Sequence, residues 1–198
     1  MIKQLAGLMA VFGLFIAGTA SAQILGSVHD FTTELSPNTD LCAFCHTPHD
    51  SDITVSEAPL WDHELTTATY TPYDTVTMDA TMSGDSTTYG ISRLCLSCHD
   101  GTVAVDSYGG VTGTNLISGN WPGVGVNYVA GDLSAEHPIS VPTTDPDVRD
   151  TPLNAGTQLF GGQVECASCH DVHDQTGLGS LLTVTNAASE LCLSCHIK

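Results

Sequence analysis

Eight cysteines and nine histidines are the residues of this 198-residue chain whose spacing points to a defined chemistry. Every cysteine belongs to a Cys-x-x-Cys-His unit, the attachment signature of c-type haem. The two thiols of a unit add to the two vinyl groups of one porphyrin, and the adjacent histidine binds the iron as proximal ligand. We therefore expect four covalently attached haem c groups. Motifs 1 to 4 are Cys42, Cys45 and His46; Cys95, Cys98 and His99; Cys166, Cys169 and His170; and Cys192, Cys195 and His196.

Other uses of paired cysteines fit this pattern less well. Four disulfides would not require a histidine after every second cysteine. Two Cys-x-x-Cys pairs could hold zinc, and a thioredoxin-like dithiol needs one pair in a βαβ context. Because all four pairs carry the histidine and no cysteine is left over, the sequence favours haem.

Five further histidines are candidates for the second, distal ligand of each iron: His29, His49, His63, His137 and His173. Five candidates for four irons make complete bis-histidine ligation possible, with one residue to spare. His63 lies between Asp62 and Glu64 and is the expected non-ligand, or an alternative distal ligand. Met78 or Met82 could also ligate, but the supply of histidine makes this unnecessary.

The positions of the spare histidines indicate which irons they could reach. His49 and His173 each follow a proximal histidine by three residues, so neither readily reaches the far face of its own haem. We expect each to ligate a neighbouring haem. His29 could serve a haem of this chain or of another, and His137 could return to motif 2 or motif 3.

Closed coordination has a functional consequence. Iron with two histidine ligands has no position open to a substrate, which argues against an enzyme and for electron transfer. Histidine is also a stronger donor than methionine, which favours low reduction potentials.

The elements that position these motifs are predicted to be short. Gly, Pro, Asn and Asp punctuate the chain at close intervals, and only 6% of its residues are aromatic. The expected fold class is a multihaem cytochrome c of mostly irregular chain, with a short helix at each motif and a haem stack as core. Extended pieces are predicted at Thr67–Tyr70, Val124–Ala130 and Leu181–Val184.

The first residues resemble a secretory signal. Lys3 precedes the apolar stretch Leu5–Ala17, and Ala20-Ser21-Ala22 fits a cleavage site. We expect a cleaved peptide at residues 1–22, a single tetrahaem domain at 23–198 and no later transmembrane span. An uncleaved anchor is the alternative.

The predicted mature chain is strongly acidic. It retains 22 acidic residues against Arg93, Arg149 and Lys198. This balance excludes nucleic acid as a partner and suits a soluble exported protein that attracts cationic partners or metal ions.

Short stretches of sequence flanking the motifs carry a family resemblance. They include Gly26-Ser-Val-His29-Asp-Phe31, His46-Thr-Pro-His49, Ala58-Pro-Leu-Trp61-Asp-His63, His99-Asp-Gly-Thr-Val103, Glu136-His137-Pro-Ile139 and His170-Asp-Val-His173. The chain thereby resembles the doubled-CxxCH multihaem cytochromes of metal-respiring bacteria, some of which polymerise into extracellular filaments.

This resemblance implies bis-histidine haems in alternating parallel and T-shaped stacks within an extracellular, or cell-surface, head-to-tail homopolymer. One haem would take its distal ligand, His49 or His29, from a neighbouring subunit. Redox partner proteins or extracellular acceptors would receive the electrons. A monomeric periplasmic tetrahaem shuttle is the alternative, and a multihaem reductase is a third possibility.

Overall fold

The computed structural model describes residues 23–35, 40–54, 57–117, 129, 131–149, 151–152, 154 and 156–197. The signal peptide expected at residues 1–22 and most of the extended segment expected at Val124–Ala130 lie outside these ranges. The described chain is mostly turns and coil with a few helices and little sheet, which confirms the expected irregular architecture. In chain order the elements are α1 (Ser92–His99), β1 (Val141–Pro142), β2 (Gln163–Val164), α2 (Cys166–Cys169) and α3 (Glu190–Cys195). Single 3₁₀ turns lie at Ser86–Thr88, Gly179–Leu181 and Ala187–Ser189.

Helices accompany three of the four motifs. Motif 2 lies within α1, α2 begins at Cys166 of motif 3, and α3 ends at Cys195 of motif 4. The helix expected at motif 1 is wrong, because this segment forms a single turn in which His46 N–H donates to the carbonyl of Cys42 at 2.8 Å. The turn stops there because the Cys45 carbonyl accepts the N–H of Asp62 (2.9 Å) instead of continuing a helix.

The regular sheet lies where no strand was predicted. β1 and β2 pair antiparallel, with Val141 opposite Val164 and Pro142 opposite Gln163. The predicted strands at Thr67–Tyr70 and Leu181–Val184 are reduced to isolated bridges, which join Thr69 to Asp85 and Leu182 to His170. Each piece pairs at a single residue and is too short for a ladder, because turns or bends flank that residue closely.

Apolar side chains form two small clusters rather than one large core. The first contains Tyr70, Met82, Tyr89, Leu96, Leu133, Ile139 and Val141, and the second contains Phe31, Phe44, Val105 and Ile117. Cys166 packs against the first cluster, whereas Cys45 and Cys98 pack against the second. Cysteines of three motifs thus border the two clusters. Among the described residues, no helix has the length and apolarity needed to cross a bilayer.

Candidate haem-binding sites

All eight cysteines are described, and none forms a disulfide. In motifs 1, 3 and 4 the backbone closes one helical turn. The backbone N–H of the histidine donates to the carbonyl of the first cysteine at 2.8, 3.0 and 2.9 Å, respectively. One such turn places residues three apart on the same face, so the two sulfurs of each motif can meet one edge of a porphyrin. Motif 2 has the same arrangement inside α1.

Backbone carbonyls fix the tautomer of two proximal histidines. His46 donates from Nδ1 to the Pro59 carbonyl at 2.9 Å, and His170 donates from Nδ1 to the Ser180 carbonyl at 2.9 Å. Because a carbonyl can only accept, the proton must be on Nδ1, and Nε2 keeps its lone pair for a metal. Such a bond also orients the ring and raises its basicity as a ligand.

Both of these carbonyls lie beside backbone in the left-handed region. Leu60, which follows Pro59, has φ 62°, and Ser180 itself has φ 58°. Left-handed backbone is unfavourable for residues other than glycine and persists where surrounding structure imposes it. The two turns therefore aim their carbonyls at the imidazoles at a local conformational cost.

Three spare histidines each lie near one proximal histidine, at similar distances between ring centres. Three pairs have ring centres 6.1–6.3 Å apart: His29 with His99, His46 with His173, and His137 with His196. Two imidazoles bound at about 2 Å on opposite sides of one metal ion have ring centres roughly 6.3 Å apart. The spacing therefore fits the axial ligands of a porphyrin-held iron.

The donor sets also fit such an iron. Among the described residues, no group of three or more His, Cys, Asp or Glu side chains could hold a metal ion. A porphyrin supplies four nitrogens of its own, so a haem iron needs only two protein ligands. A cleft of about 450 Å³ lies beside motif 1, and Cys42, His46, Pro48, Leu60 and Tyr108 contribute to its walls.

The histidine pair at motif 2 is the most enclosed of the three. Nδ1 of His29 is buried and has no hydrogen-bond partner. Burial, with smaller contributions from His99 and His173, lowers the pKa of His29 to about 4. His29 is therefore neutral near pH 7, which is the form that binds a metal.

The other two pairs have their own second contacts. Nδ1 of His137 donates to the Pro138 carbonyl at 2.9 Å, which leaves Nε2 available as in the proximal rings. His137 lies beside motif 4, not beside motif 2 or 3 as the sequence suggested. Nδ1 of His173 lies 3.7 Å from the Asp171 carboxylate.

Three histidines stand outside these pairs. His170 is exposed, and its ring contacts no other histidine among the described residues. His49 is also exposed, and its ring has no hydrogen bond or ring contact within the described part of the chain. His63 is buried, with Nδ1 2.8 Å from the Glu64 carbonyl and Nε2 3.0 Å from the Ala104 carbonyl and 3.6 Å from Cys98 Sγ, so its ring is enclosed by groups of its own chain. Met82 packs in the first apolar cluster, and Met78 packs against it.

Cysteines of consecutive motifs lie close together. The Cys95 and Cys166 thiols hydrogen-bond to each other, and this bond together with burial raises the pKa of Cys95. Burial raises the pKa of Cys98, and the charge of Cys45 adds to it. Burial likewise raises the pKa of Cys169 to about 11, with a smaller contribution from Cys195. Geometry relates two of these motif pairs directly: Cys45 and Cys98 pack against the same apolar cluster, and the Cys166 backbone N–H of motif 3 donates to Ser92 Oγ at the start of α1 at 2.8 Å. Motif 4 is related to motif 3 by the influence of Cys195 on the pKa of Cys169.

A buried carboxylate that sequence reasoning missed joins motifs 2 and 3. Glu165 is 2% exposed and accepts hydrogen bonds from Ser92 at the start of α1 and from Ser140 Oγ at 3.0 and 3.1 Å. It also forms a reciprocal cap with Ser168 of α2. The usual sequence signal for this cap places Ser or Thr at the N-cap and Glu three residues later, whereas here the order is reversed.

A second missed carboxylate follows the proximal histidine of motif 2. Asp100 is 3% exposed and accepts hydrogen bonds from the Tyr70 hydroxyl at 2.6 Å and the Thr66 hydroxyl at 2.7 Å. Burial, and then the bond to Asp100, raises the pKa of Tyr70. This network anchors the C-terminal end of α1, which carries His99.

Comparison with known proteins supports the interpretation of the motifs. Residues 159–198 match the family described as doubled CXXCH motif, a segment that contains motifs 3 and 4. No curated protein matches the chain. The doubled motif, together with the coil-rich fold, supports a multihaem c-type cytochrome with covalently bound haem and a role in electron transfer.

Proposed function

We propose that this protein transfers electrons through four haem c groups as the subunit of an extracellular cytochrome filament that serves external acceptors. The observation that carries the proposal is the set of three histidine pairs at 6.1–6.3 Å, each joining a proximal to a spare histidine. The sequence stretches that flank the motifs support it further, since they resemble those of the filament-forming outer-membrane c-type cytochrome E.

When bound, haem supplies a one-electron iron centre. The residues of the chain hold it and control access to it. Eight cysteines would attach four porphyrins, with His46, His99, His170 and His196 as proximal ligands and His173, His29 and His137 as distal ligands of the first, second and fourth irons. Irons ligated in this way would be closed to substrates, which favours electron transfer over catalysis.

The contacts between cysteines of consecutive motifs support a continuous path. Each thioether sulfur marks the edge of a porphyrin, so adjoining sulfurs bring two porphyrin edges together. The backbone bond from Cys166 to Ser92 of α1 supports neighbouring second and third haems, and the shared apolar cluster of Cys45 and Cys98 supports neighbouring first and second haems. The influence of Cys195 on the pKa of Cys169 supports the same arrangement for the third and fourth haems. The electron path would therefore run through motifs 1, 2, 3 and 4 in chain order. The haems would also add apolar surface to the two small clusters of the protein.

The third site supports polymerisation. His170 has an oriented ring and no histidine opposite it among the described residues, while His49 is exposed and has no partner there. Since His29 faces His99 of its own chain, His49 is the better candidate for a ligand supplied to a second copy. His49 of one subunit would bind the third iron of the next, and the repeated head-to-tail contact would generate a filament.

Two alternatives follow from the same site. A ligand recruited within the chain would give a monomeric periplasmic shuttle. A third iron left without a distal ligand would suit a multihaem reductase, because a substrate could bind there.

The full chain, produced in a host that matures c-type cytochromes, tests these functions. Haem content should be four per chain, electron micrographs should show filaments, and electron paramagnetic resonance should show low-spin iron throughout. Monomers whose four irons are all low-spin would indicate the shuttle. Monomers with a high-spin iron that turns over a small oxidised substrate would indicate the reductase.

His49→Ala should retain four haems but prevent assembly. Asp50→Asn is the matched control, because Asp50 is the exposed neighbour and its left-handed backbone (φ 59°) suits asparagine. Asp50→Asn should assemble normally. Filaments formed by His49→Ala would contradict ligation between subunits.

A further inference from the structure

The predicted mature chain has only three basic residues, Arg93, Arg149 and Lys198, against 22 acidic ones. In such a field most sites experience negative potential, so the position of each cation matters. Arg93 and Arg149 lie in the described part of the chain, and their surroundings differ.

Arg149 lies directly against motif 4. Its backbone N–H donates to the carbonyl of Cys195 at 2.8 Å, and the preceding residue, Val148, forms an antiparallel bridge with His196. The N–H of Ile197 donates to the Asp147 carbonyl at 2.8 Å. A short extended pairing therefore fixes Arg149 beside the second cysteine and the proximal histidine of this motif.

The guanidinium of Arg149 is not neutralised by the described residues. Its Nε is buried and has no hydrogen-bond partner, and no ion pair to a described carboxylate is present. A buried polar atom without a partner in the protein fits a site completed by another group.

Arg93 shows the opposite situation beside motif 2. Its Nε donates to the Thr66 carbonyl at 2.8 Å. The pKa values of two nearby carboxyls, Asp52 and Asp85, are lowered first by hydrogen bonds from Thr54 and Thr87 and last by the charge of Arg93. Arg93 is therefore satisfied by a carbonyl and partly balanced by two acids.

We propose that Arg149 raises the reduction potential of the haem attached to Cys192 and Cys195, and so makes motif 4 an electron-accepting end of the haem chain. Reduction removes one positive charge from the iron, so a nearby cation favours the reduced form. The inference depends on the proposed function, because it assumes a haem at motif 4 held by His137 and His196.

The test is a redox titration of the full four-haem protein, followed by NMR of the haem methyl signals. Signals that lose low-spin character in His137→Ala identify the fourth haem. Arg149→Gln should shift the potential of this haem to more negative values and move the other three less, whereas Arg149→Lys should stay close to wild type. Arg93→Gln, which removes the same charge from α1, should move the fourth haem less than Arg149→Gln does.

The outcomes separate the two proposals. An unchanged fourth potential in Arg149→Gln, or an equal shift of all four haems, would overturn the role of Arg149 while leaving the haem assignment intact. Fewer than four haems in the wild type would instead contradict the proposed function. If Arg149→Gln does not mature, the wild type still decides: the fourth haem must be reduced before the first, and the reverse order would refute the inference.

Discussion

Motifs 2 and 3 adjoin each other in the fold, yet their proximal histidines lie in different surroundings. His99 is half-buried and faces His29, whose pKa is lowered mainly by burial. His170 is exposed, and no histidine faces it within the described residues. The same five-residue motif therefore leads to an enclosed site or to a one-sided site. Whether a site is complete depends on distant parts of the chain rather than on the motif.

The largest effect is expected from removing Glu165, whose hydrogen bonds join α1 of motif 2 to α2 of motif 3. Glu165→Ala removes the buried acceptor of Ser92 and Ser140 and leaves their groups without partners. Hydrogen bonds to a charged group contribute about 1.5–3 kcal/mol each, so we expect a loss of about 3 kcal/mol or more in unfolding free energy. Guanidinium denaturation of the haem-loaded protein measures it. Glu190→Ala, on the exposed first turn of α3, is the control and should cost less than about 1 kcal/mol. Equal losses in both variants would argue against a joining role for Glu165.

A second experiment separates the enclosed site from the one-sided site. His29→Ala should convert one of the four irons to high spin even in the isolated subunit, because the partner of His99 is removed. Free imidazole should restore low-spin iron there. In the unassembled wild type, free imidazole should convert only the third iron from high spin to low spin. Electron paramagnetic resonance measures both changes, and low-spin iron throughout His29→Ala would show that His29 is not an axial ligand.

The smallest effect tests how tightly the chain packs around the Glu165 carboxylate. A Cβ added at Gly90 would lie 2.7 Å from Glu165 Oε1, so Gly90→Ala should displace the carboxylate and cost about 1 kcal/mol. A Cβ at Gly179 would have no heavy atom within 4 Å, and Gly179→Ala should be nearly neutral. Thermal unfolding of the two variants under identical conditions is sufficient. A neutral Gly90→Ala would mean that the carboxylate has room to move.

The sequence predicts what depends on local pattern. The attachment motifs and the coil-rich fold follow from residues close together in the chain, and the match at residues 159–198 supports the interpretation of motifs 3 and 4. The helix expected at motif 1 is wrong because the Cys45 carbonyl bonds to Asp62 instead of continuing a turn. Such a competing partner cannot be foreseen from five residues.

The histidine partners depend on long-range packing. His29 and His99 are brought together by packing of distant segments, and nothing near either residue specifies the other. Glu165 escaped notice for a similar reason, since two of its partners, Ser92 and Ser140, belong to other elements. The expectation that His63 is the spare histidine came from its acidic neighbours, whereas the structure engages both of its nitrogens with carbonyls.

The left-handed turns at Leu60 and Ser180 bear on how the protein matures. Each holds a residue in a conformation that costs on the order of 1–3 kcal/mol, and each does so beside a carbonyl that orients a proximal imidazole. Before haem attachment, no bound iron stabilises this geometry, so we expect both turns to relax. The enzymes that install the haems would then meet a pliant polypeptide whose cysteines are accessible. Folding would follow attachment, and each turn would tighten as its histidine acquires a metal.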